Sequence, residues 1–199
     1  ASNLELASGS LTGAGTLTAN TFTWSGGRLS GSGSTLVNGT LQLGGSGSKF
    51  LDSRTLTTSG STIWSGSGQL YGENGGTWNN TATGIIELQS DADFYANGGT
   101  RPIFNNAGTL TKSVGSTTDS SDISAIFNNT GTVNLQQGTL ALSGGGSSSG
   151  TFAVQNGSTL NFSGGNQTLG NSSVISGAGK VRFSGGTTAI SGAYNITGA

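Results

Sequence analysis

A short motif recurs along this chain at a nearly constant interval. An apolar residue followed by Ser-Gly-Gly occurs at Leu142, Phe162 and Phe183, which lie 20 and 21 residues apart. Related copies with intervals of 19 and 21 residues begin at Trp24, Leu43 and Trp64. A period of about 20 residues is typical of a solenoid, in which each coil buries its apolar edge against its neighbours. Dividing the 199 residues by this period predicts roughly nine coils.

The segments between the motifs alternate apolar and polar residues, as in GTVNLQ, GTLALS, STLNFS and KVRFS. A period of two indicates β-strands, and the Gly, Ser and Asn clusters between them are turn residues. No segment has a helical period. We therefore predict an all-β fold, a right-handed parallel β-helix that forms one domain over residues 1–199, with the hand taken from the crossover rule. The 38 glycines are expected to supply positive φ angles at its corners.

The repeats also predict which side chains stack inside. Leu17, Leu36 and Leu56 each follow a Thr and are expected to form one inward ladder. Phe104 and Phe127 open the related sequences FNNAGTLT and FNNTGTVN, 23 residues apart. The asparagines of FNN are expected either to form an amide ladder inside a turn or to cap a bend. The three tryptophans fall on inward positions, so we expect core packing rather than a sugar-stacking surface: Trp24, Trp64 and Trp78.

The coils widen over residues 89–125, and insertions in a solenoid usually form loops on one face. The segments QSDADFYANGGTRP and KSVGSTTDSSDIS are the predicted side loops. Alternation places Tyr71 and Tyr95 outward and Asp91 and Asp93 on a common face. The candidate ligand-binding residues are Asp91, Asp93, Tyr95, Arg101, Asp119 and Asp122.

These carboxylates have three interpretations. Two of them across a groove would suit glycoside hydrolysis, in which the separation of the carboxyl groups decides the chemistry. Oxygen ligands would also suit one calcium ion. Ordinary solvated loop residues that keep the surface soluble are the third interpretation and the one we favour. We assign no catalytic residue, no metal site and no cofactor.

A second outward surface carries threonine. Thr-x-Thr pairs around the predicted inward leucines would form a flat array of the kind that orders water on ice-binding solenoids: Thr16, Thr18, Thr35, Thr55 and Thr57. Near the other end, the equivalent positions hold Lys180 and Arg182, whose long side chains would interrupt a flat surface. Threonine is also an ordinary residue of exposed strands.

Composition excludes several function classes. The chain has no His and no Cys, which excludes a Ser-His-Asp triad and zinc sites of the usual ligand types. Only 8% of residues are charged and the net charge is -1, so no basic surface is available for nucleic acid. No apolar run approaches the roughly 20 residues that would span a bilayer, so we expect no membrane insertion.

The motifs GTLTAN, FNNTGTVNLQQGTLALSGGG and GSTLNFSGG resemble the degenerate repeats of large bacterial surface and secreted proteins, including filamentous-haemagglutinin-like and autotransporter-passenger adhesins. The resemblance covers nearly the whole chain. It implies an extracellular or cell-surface β-helix that acts as a stalk or adhesive surface, with host or matrix glycans or cell-surface proteins as partners. The pattern is in progress at both termini, so we expect a piece of a longer protein with some end-to-end self-association.

We therefore predict a non-enzymatic adhesin or stalk segment. A polysaccharide-binding or polysaccharide-cleaving β-helix that uses the acidic middle loops is the first alternative. An ice-binding solenoid that uses the threonine rows is the second.

Overall fold

A computed structural model describes residues 3–116 and 119–198 of the chain. Within these residues all regular structure is β-strand, and the strand pairings are parallel and join equivalent strands of successive coils. The strands fall into three rows that run along the solenoid. The predicted all-β parallel solenoid of about nine turns is confirmed.

The first row contains β7 (Thr55–Thr58), β10 (Thr77–Asn80), β13 (Ile103–Asn106), β16 (Ile126–Asn129), β19 (Gly146–Ser148), β22 (Asn166–Leu169) and β25 (Thr187–Ile190). The second row contains β1 (Asn3–Leu6), β8 (Ser61–Trp64), β11 (Ile85–Leu88), β14 (Thr109–Lys112), β17 (Thr132–Leu135), β20 (Thr151–Val154), β23 (Val174–Gly177) and β26 (Ala193–Ile196). Two longer strands, β3 (Thr16–Trp24) and β5 (Ser34–Leu43), span both rows and join them into one 17-stranded sheet.

The third row forms a separate sheet of nine strands. It contains β2 (Ser10–Leu11), β4 (Gly27–Leu29), β6 (Lys49–Asp52), β9 (Leu70–Glu73), β12 (Phe94–Ala96), β15 (Ser121–Ile123), β18 (Gly138–Leu142), β21 (Ser158–Phe162) and β24 (Lys180–Phe183). Each coil therefore contributes one strand to each row, and the chain turns a corner between rows.

The wide coils enlarge two different corners. Residues 113–120 separate β14 from β15 at the corner between the second and third rows, where two residues separate β17 from β18. Residues 97–102 separate β12 from β13 at the corner between the third and first rows, where two residues separate β15 from β16. The first predicted side loop thus contains β12 and the corners on both sides of it, and the second lies at the corner between the second and third rows. Residues 117 and 118 of the second predicted loop lie outside the described residues.

Large apolar side chains fill the interior as ladders. Leu56, Trp78, Phe104 and Phe127 occupy one register position in consecutive coils. The Trp78 and Phe104 rings stack with centroids 4.7 Å apart, and Phe104 meets Phe127 edge-on at 5.2 Å. Parallel in-register pairing brings identical or similar residues about 4.8 Å apart, so each ring covers its neighbour.

All three tryptophans are buried, which confirms the prediction of core packing. The Trp78 Nε1 group donates to Thr58 Oγ1 at 3.2 Å. The Nε1 groups of Trp24 and Trp64 are buried without a hydrogen-bond acceptor. Packing of the large rings therefore offsets the cost of two unsatisfied indole donors.

The FNN asparagines form two ladders, one inside and one outside. Asn80 donates to Asn106 Oδ1 at 2.8 Å, and Asn106 donates to Asn129 Oδ1 at 2.9 Å; all three side chains are buried. The preceding asparagine of each motif points outward and repeats the pattern, with Asn105 and Asn128 as the donors. The inward amide ladder, one of the two predicted alternatives, is thus present.

The predicted ladder of Leu17, Leu36 and Leu56 is wrong by one residue in its middle coil. Thr35, not Leu36, pairs with Leu17 and Leu56, and Thr35 is fully buried while Leu36 is partly exposed. The reason is a buried arginine in the next coil. Arg54 is 3% exposed and donates from Nε to Thr35 Oγ1 at 2.8 Å, so an inward hydroxyl satisfies a cation that leucine could not.

Glycines allow neighbouring coils to approach closely, in addition to allowing the backbone to turn at corners. At Gly131 a Cβ atom would lie 2.0 Å from the Gly108 carbonyl oxygen one coil away, although its φ angle is not positive. Gly31 combines a φ of +84° with a Cβ position 2.6 Å from the Gly13 oxygen. Tight stacking at the corners therefore explains glycines that backbone conformation alone does not.

Candidate functional site

A row of stacked side chains runs along the outer face of the third row of strands. The pairing of β4, β6, β9 and β12 gives Arg28, Phe50, Tyr71 and Tyr95 one register position. Ring centroids are 5.2 Å apart for Phe50 and Tyr71, and 5.9 Å apart for Tyr71 and Tyr95. We call these three rings the outer aromatic row. Both tyrosines are partly exposed, which confirms their predicted outward orientation.

The end of the row nearer the N-terminus is covered by Arg28. Its guanidinium carbon lies 4.6 Å from the Phe50 ring centroid, within cation–π range. The Arg28 Nη1 group also donates to Asp52 Oδ2 at 3.0 Å and to Glu73 Oε2. These carboxylates accept further bonds from Asn74 at 2.8 Å and Asn97 at 2.7 Å.

The pKa values around Arg28 are shifted as expected for a closed network. A hydrogen bond to Glu73 raises the pKa of Arg28 despite its partial burial. A hydrogen bond from Asn74 lowers the pKa of Asp52, with Ser53 and Arg28 contributing in the same direction. The charged groups at this end of the row therefore satisfy one another.

The other end of the row meets small side chains. Phe94 pairs with Ile123, so Ser124 lies beside Tyr95 in the next coil. The pairings that follow place Ser143, Ser163 and Ser184 at the same position in later coils. These are the serines of the Ser-Gly-Gly motif and its relatives. A row of large rings is thus followed by a row of small hydroxyl side chains, and the change produces a step at Tyr95.

Two carboxyl groups lie beside this step. Asp93 is only 7% exposed, and its Oδ1 accepts the backbone N–H of Asp122 at 2.6 Å. The Tyr95 hydroxyl also hydrogen-bonds to Asp93. Asp122 Oδ1 accepts a bond from Ser143 Oγ at 2.7 Å.

Burial and mutual repulsion raise the pKa values of this group. Burial raises the pKa of Asp93, and the nearby charges of Asp122 and Asp119 add to the effect. Burial also raises the pKa of Asp122, against the hydrogen bond from Ser143. The hydrogen bond to Asp93 is the main cause that raises the pKa of Tyr95 to about 12. Tyr95 therefore keeps its proton at neutral pH, and the two carboxyl groups ionise at higher pH than an ordinary aspartate does.

Arg101 and Asp119 complete the surroundings of the step. Arg101 is exposed, and its Nη1 donates to the carbonyl oxygens of Ser124 at 3.4 Å and Gly144 at 3.1 Å. Asp119 is exposed and accepts the Ser120 backbone N–H at 2.8 Å. The fold thus brings five of the six predicted ligand-binding residues into one neighbourhood, with Asp119 linked to it through its charge.

Asp91 does not belong to this group. The prediction that Asp91 and Asp93 share a strand face is wrong, because both precede β12 and turn to different partners. Asp91 Oδ1 accepts Lys112 Nζ at 2.8 Å, and its Oδ2 accepts the Ser116 N–H at 2.8 Å. Burial opposes ionisation of Asp91, but these two hydrogen bonds outweigh it and lower its pKa.

The partner of Asp91 is a lysine in the inward ladder between Leu88 and Leu135. Lys112 is 1% exposed, and its Nζ also donates to Ser90 O at 3.1 Å and Ser121 Oγ at 3.0 Å. Asp91 and Lys112 therefore attach the wide corner loop to the interior, and this ion pair is a structural element.

The predicted threonine rows are interrupted. Thr16 and Thr55 flank Ser34, and Thr18 and Thr57 flank Leu36, at outward positions of successive coils. The fifth predicted residue, Thr35, is the buried partner of Arg54 and cannot present its hydroxyl to solvent. A partly exposed leucine thus occupies the middle of one row.

Other features of the surface lie apart from the step. Two shallow concavities lie elsewhere on the rod, one lined by residues 3–5 with Thr21 and Thr23, the other by residues 156–159 and 178–180. Among the residues that the structure describes, no three or more Asp or Glu side chains are grouped so that they could hold a metal ion. That same part of the chain has no helix of the length and hydropathy that would cross a membrane.

Comparisons with known proteins give no relative for this chain. No protein-family model, no curated protein and no solved structure matches it.

Two parts of the site were missed by sequence reasoning. Phe50 was not singled out, although it alternates with the inward residue Leu51 in the segment KFLD. The outward serine row was also missed. Its signal was the opening motif itself, because a serine that follows an inward Leu or Phe on a strand must point outward.

Proposed function

We propose that the chain is a non-enzymatic adhesion or stalk segment of an extracellular bacterial surface protein. The observation that carries the proposal is the continuity of strand pairing, which runs from β2 to β24 through all nine strands of the third row. Nine coils at about 4.8 Å each give a rod about 40 Å long. Such a rod holds its side chains at fixed positions along one axis.

Rigidity in this rod has identifiable sources. Backbone ladders pair each coil with the next, and the inner amide ladder of Asn80, Asn106 and Asn129 adds a second set of bonds along the same axis. A force along the axis must break several of these bonds at once. This resistance suits a segment that separates a binding region from an anchor.

The environment of the carboxyl groups also favours a non-enzymatic role. Acid–base catalysis by a carboxyl pair requires environments that push the two pKa values apart, so that one group is protonated and the other ionised. Burial raises the pKa values of both Asp93 and Asp122. Both shifts run in the same direction, which is not the division into an acid and a base that such catalysis uses.

Display of the chain on a bacterial surface tests the proposal. We expect cells that display it to be retained under flow on epithelial or matrix-coated surfaces more strongly than cells that display a scrambled chain of equal composition. In a second arm, single molecules are stretched along the rod axis and compared with a Gly/Ser linker of equal length. Retention equal to that of the scrambled chain, together with extension at no measurable unfolding force, would overturn both forms of the proposal.

A further inference from the structure

The orientation of the outer aromatic row determines which ring surfaces a ligand can reach. Phe50, Tyr71 and Tyr95 stack in successive coils with interplanar angles of 21° and 28°, so the faces of neighbouring rings are turned toward one another along the row. Within the row each ring face covers the next, and Arg28 covers the outer face of Phe50. The remaining terminal face is that of Tyr95 toward Ser124.

The residues beyond this face form a floor and a rim of hydrogen-bonding groups. Ser124 and Ser143 are small, so the floor lies lower than the Tyr95 ring by most of a side chain. Asp122 borders the floor, and its carboxylate can accept more bonds than the one that Ser143 donates. Arg101 reaches across the same coil and has further N–H donors beyond its bonds to carbonyl oxygens.

This combination fits one chemical class of ligand. A pyranose ring has an apolar C–H face that packs on an aromatic ring, and hydroxyl groups at its edge that both donate and accept hydrogen bonds. The Tyr95 face stands upright beside the polar floor. A sugar ring standing on its edge could therefore pack its apolar face on Tyr95 while its edge hydroxyl groups bond to the floor. Because the coils are about 4.8 Å apart, a sugar ring stacked on Tyr95 would stand above Ser124, in the place where the next ring of the row would otherwise lie.

Charge selects among sugars. Asp93, Asp119 and Asp122 adjoin the step, against the single cation Arg101, so an acidic sugar such as a uronic or sialic acid would be repelled. We propose that the Tyr95 step binds a neutral glycan, with one pyranose ring stacked on Tyr95 and its hydroxyl groups bonded to Asp122, Ser143 and Arg101. The proposal rests on the adhesive form of the proposed function, for which it supplies the contact point.

An array of immobilised neutral and acidic glycans tests this site with three proteins. The wild-type chain is expected to bind neutral glycans and not acidic ones. Tyr95→Ser removes the ring face and is expected to weaken binding at least about tenfold. The matched control is Phe50→Ser, which deletes a ring of the same row two coils away and is expected to bind as the wild type does.

Circular dichroism and urea unfolding of both variants establish that loss of binding is not loss of folding. A fourth variant, Asp122→Asn, keeps the acceptor for Ser143 while removing a charge, and is expected to admit acidic glycans. Failure of the wild type to bind any neutral glycan, or equal binding by a folded Tyr95→Ser variant, would overturn the site. If the site fails but displayed cells are still retained on surfaces, the adhesive function stands without this site. If displayed cells are not retained either, the adhesive function is overturned by that separate result.

Discussion

The inner amide ladder provides a sharp test of how this rod is stabilised, through the substitution Asn106→Ala. Asn106 accepts from Asn80 Nδ2 at 2.8 Å and donates to Asn129 Oδ1 at 2.9 Å. Asn80 keeps other acceptors, at 3.2 Å on Gly84 O and 3.3 Å on Thr109 O. Its lost bond to Asn106 is therefore expected to cost about 1 kcal/mol.

Most of the expected loss in the free energy of unfolding comes from Asn129. Its Oδ1 would be left buried without the donor that Asn106 supplies, which costs about 2 kcal/mol. The sum is about 3 kcal/mol, measurable by urea unfolding monitored by tryptophan fluorescence, because Trp78 lies in the same strand as Asn80. The matched control is Asn105→Ala, which removes two equivalent bonds, at 2.8 and 2.9 Å, on the outer, partly exposed side.

Water can replace the lost partners of the outer ladder, so Asn105→Ala is expected to cost less than about 1 kcal/mol. Burial is the only reason given for a larger loss of stability in Asn106→Ala than in Asn105→Ala. Equal destabilisation by the two substitutions would therefore refute this explanation. Asn106→Asp adds an internal check. Its carboxylate would face the Asn129 oxygen at neutral pH, whereas the protonated acid can donate to it, so the deficit should shrink as the pH falls.

Three further predictions concern two buried charged residues and a pair of glycines. Lys49 is fully buried and donates to Gly47 O at 3.1 Å, and burial lowers its pKa. Lys49→Met should therefore stabilise the chain by about 1–2 kcal/mol at neutral pH, as measured by urea unfolding. This gain should shrink as the pH rises toward the ordinary lysine pKa, because the wild-type lysine then loses its charge. The raised pKa of Asp93 means that its contribution to stability is full below its ordinary pKa of about 3.9 and is lost as pH rises through the folded-state value. Asp93→Asn should therefore raise the melting temperature at pH 7 but not at pH 3, and an equal gain at both pH values would contradict this. Gly131→Ala, which brings Cβ to 2.0 Å from a backbone oxygen, should cost more than about 2 kcal/mol. Gly157→Ala, at a φ of +84° with open space around Cβ, should cost about 1 kcal/mol, and the opposite order in thermal melts would refute the close-approach argument.

Parts of the candidate site could be predicted because they depend on alternation alone. Tyr71 and Tyr95 follow the buried residues Leu70 and Phe94 directly, and within one strand a neighbour of an inward residue must point outward. The stacking of the two tyrosines depends on how the coils align. That alignment places Phe50 under them and Ser124 beside them, although these residues lie 45 and 29 positions from Tyr95 in the sequence.

The acidic residues were harder to place because they lie at a corner. Asp91 and Asp93 precede β12, where no strand period fixes the direction of a side chain. Partners from other coils decide instead: Lys112 fixes Asp91, while the Asp122 N–H and the Tyr95 hydroxyl fix Asp93. The buried lysine had a signal that sequence reasoning missed: Lys112 lies two residues after the inward Leu110 in TLTK, so alternation places it inward.

The sequence by itself determined the period of the coils, the all-β character and the buried tryptophans, because each follows from spacing within one repeat. Only the tertiary structure decided the register between coils. A pattern with a period of two fixes which residues share a face, but a shift of one residue exchanges the faces. At Thr35 and Leu36 the choice was made by Arg54, a buried cation whose need for an oxygen acceptor is met by the neighbouring coil.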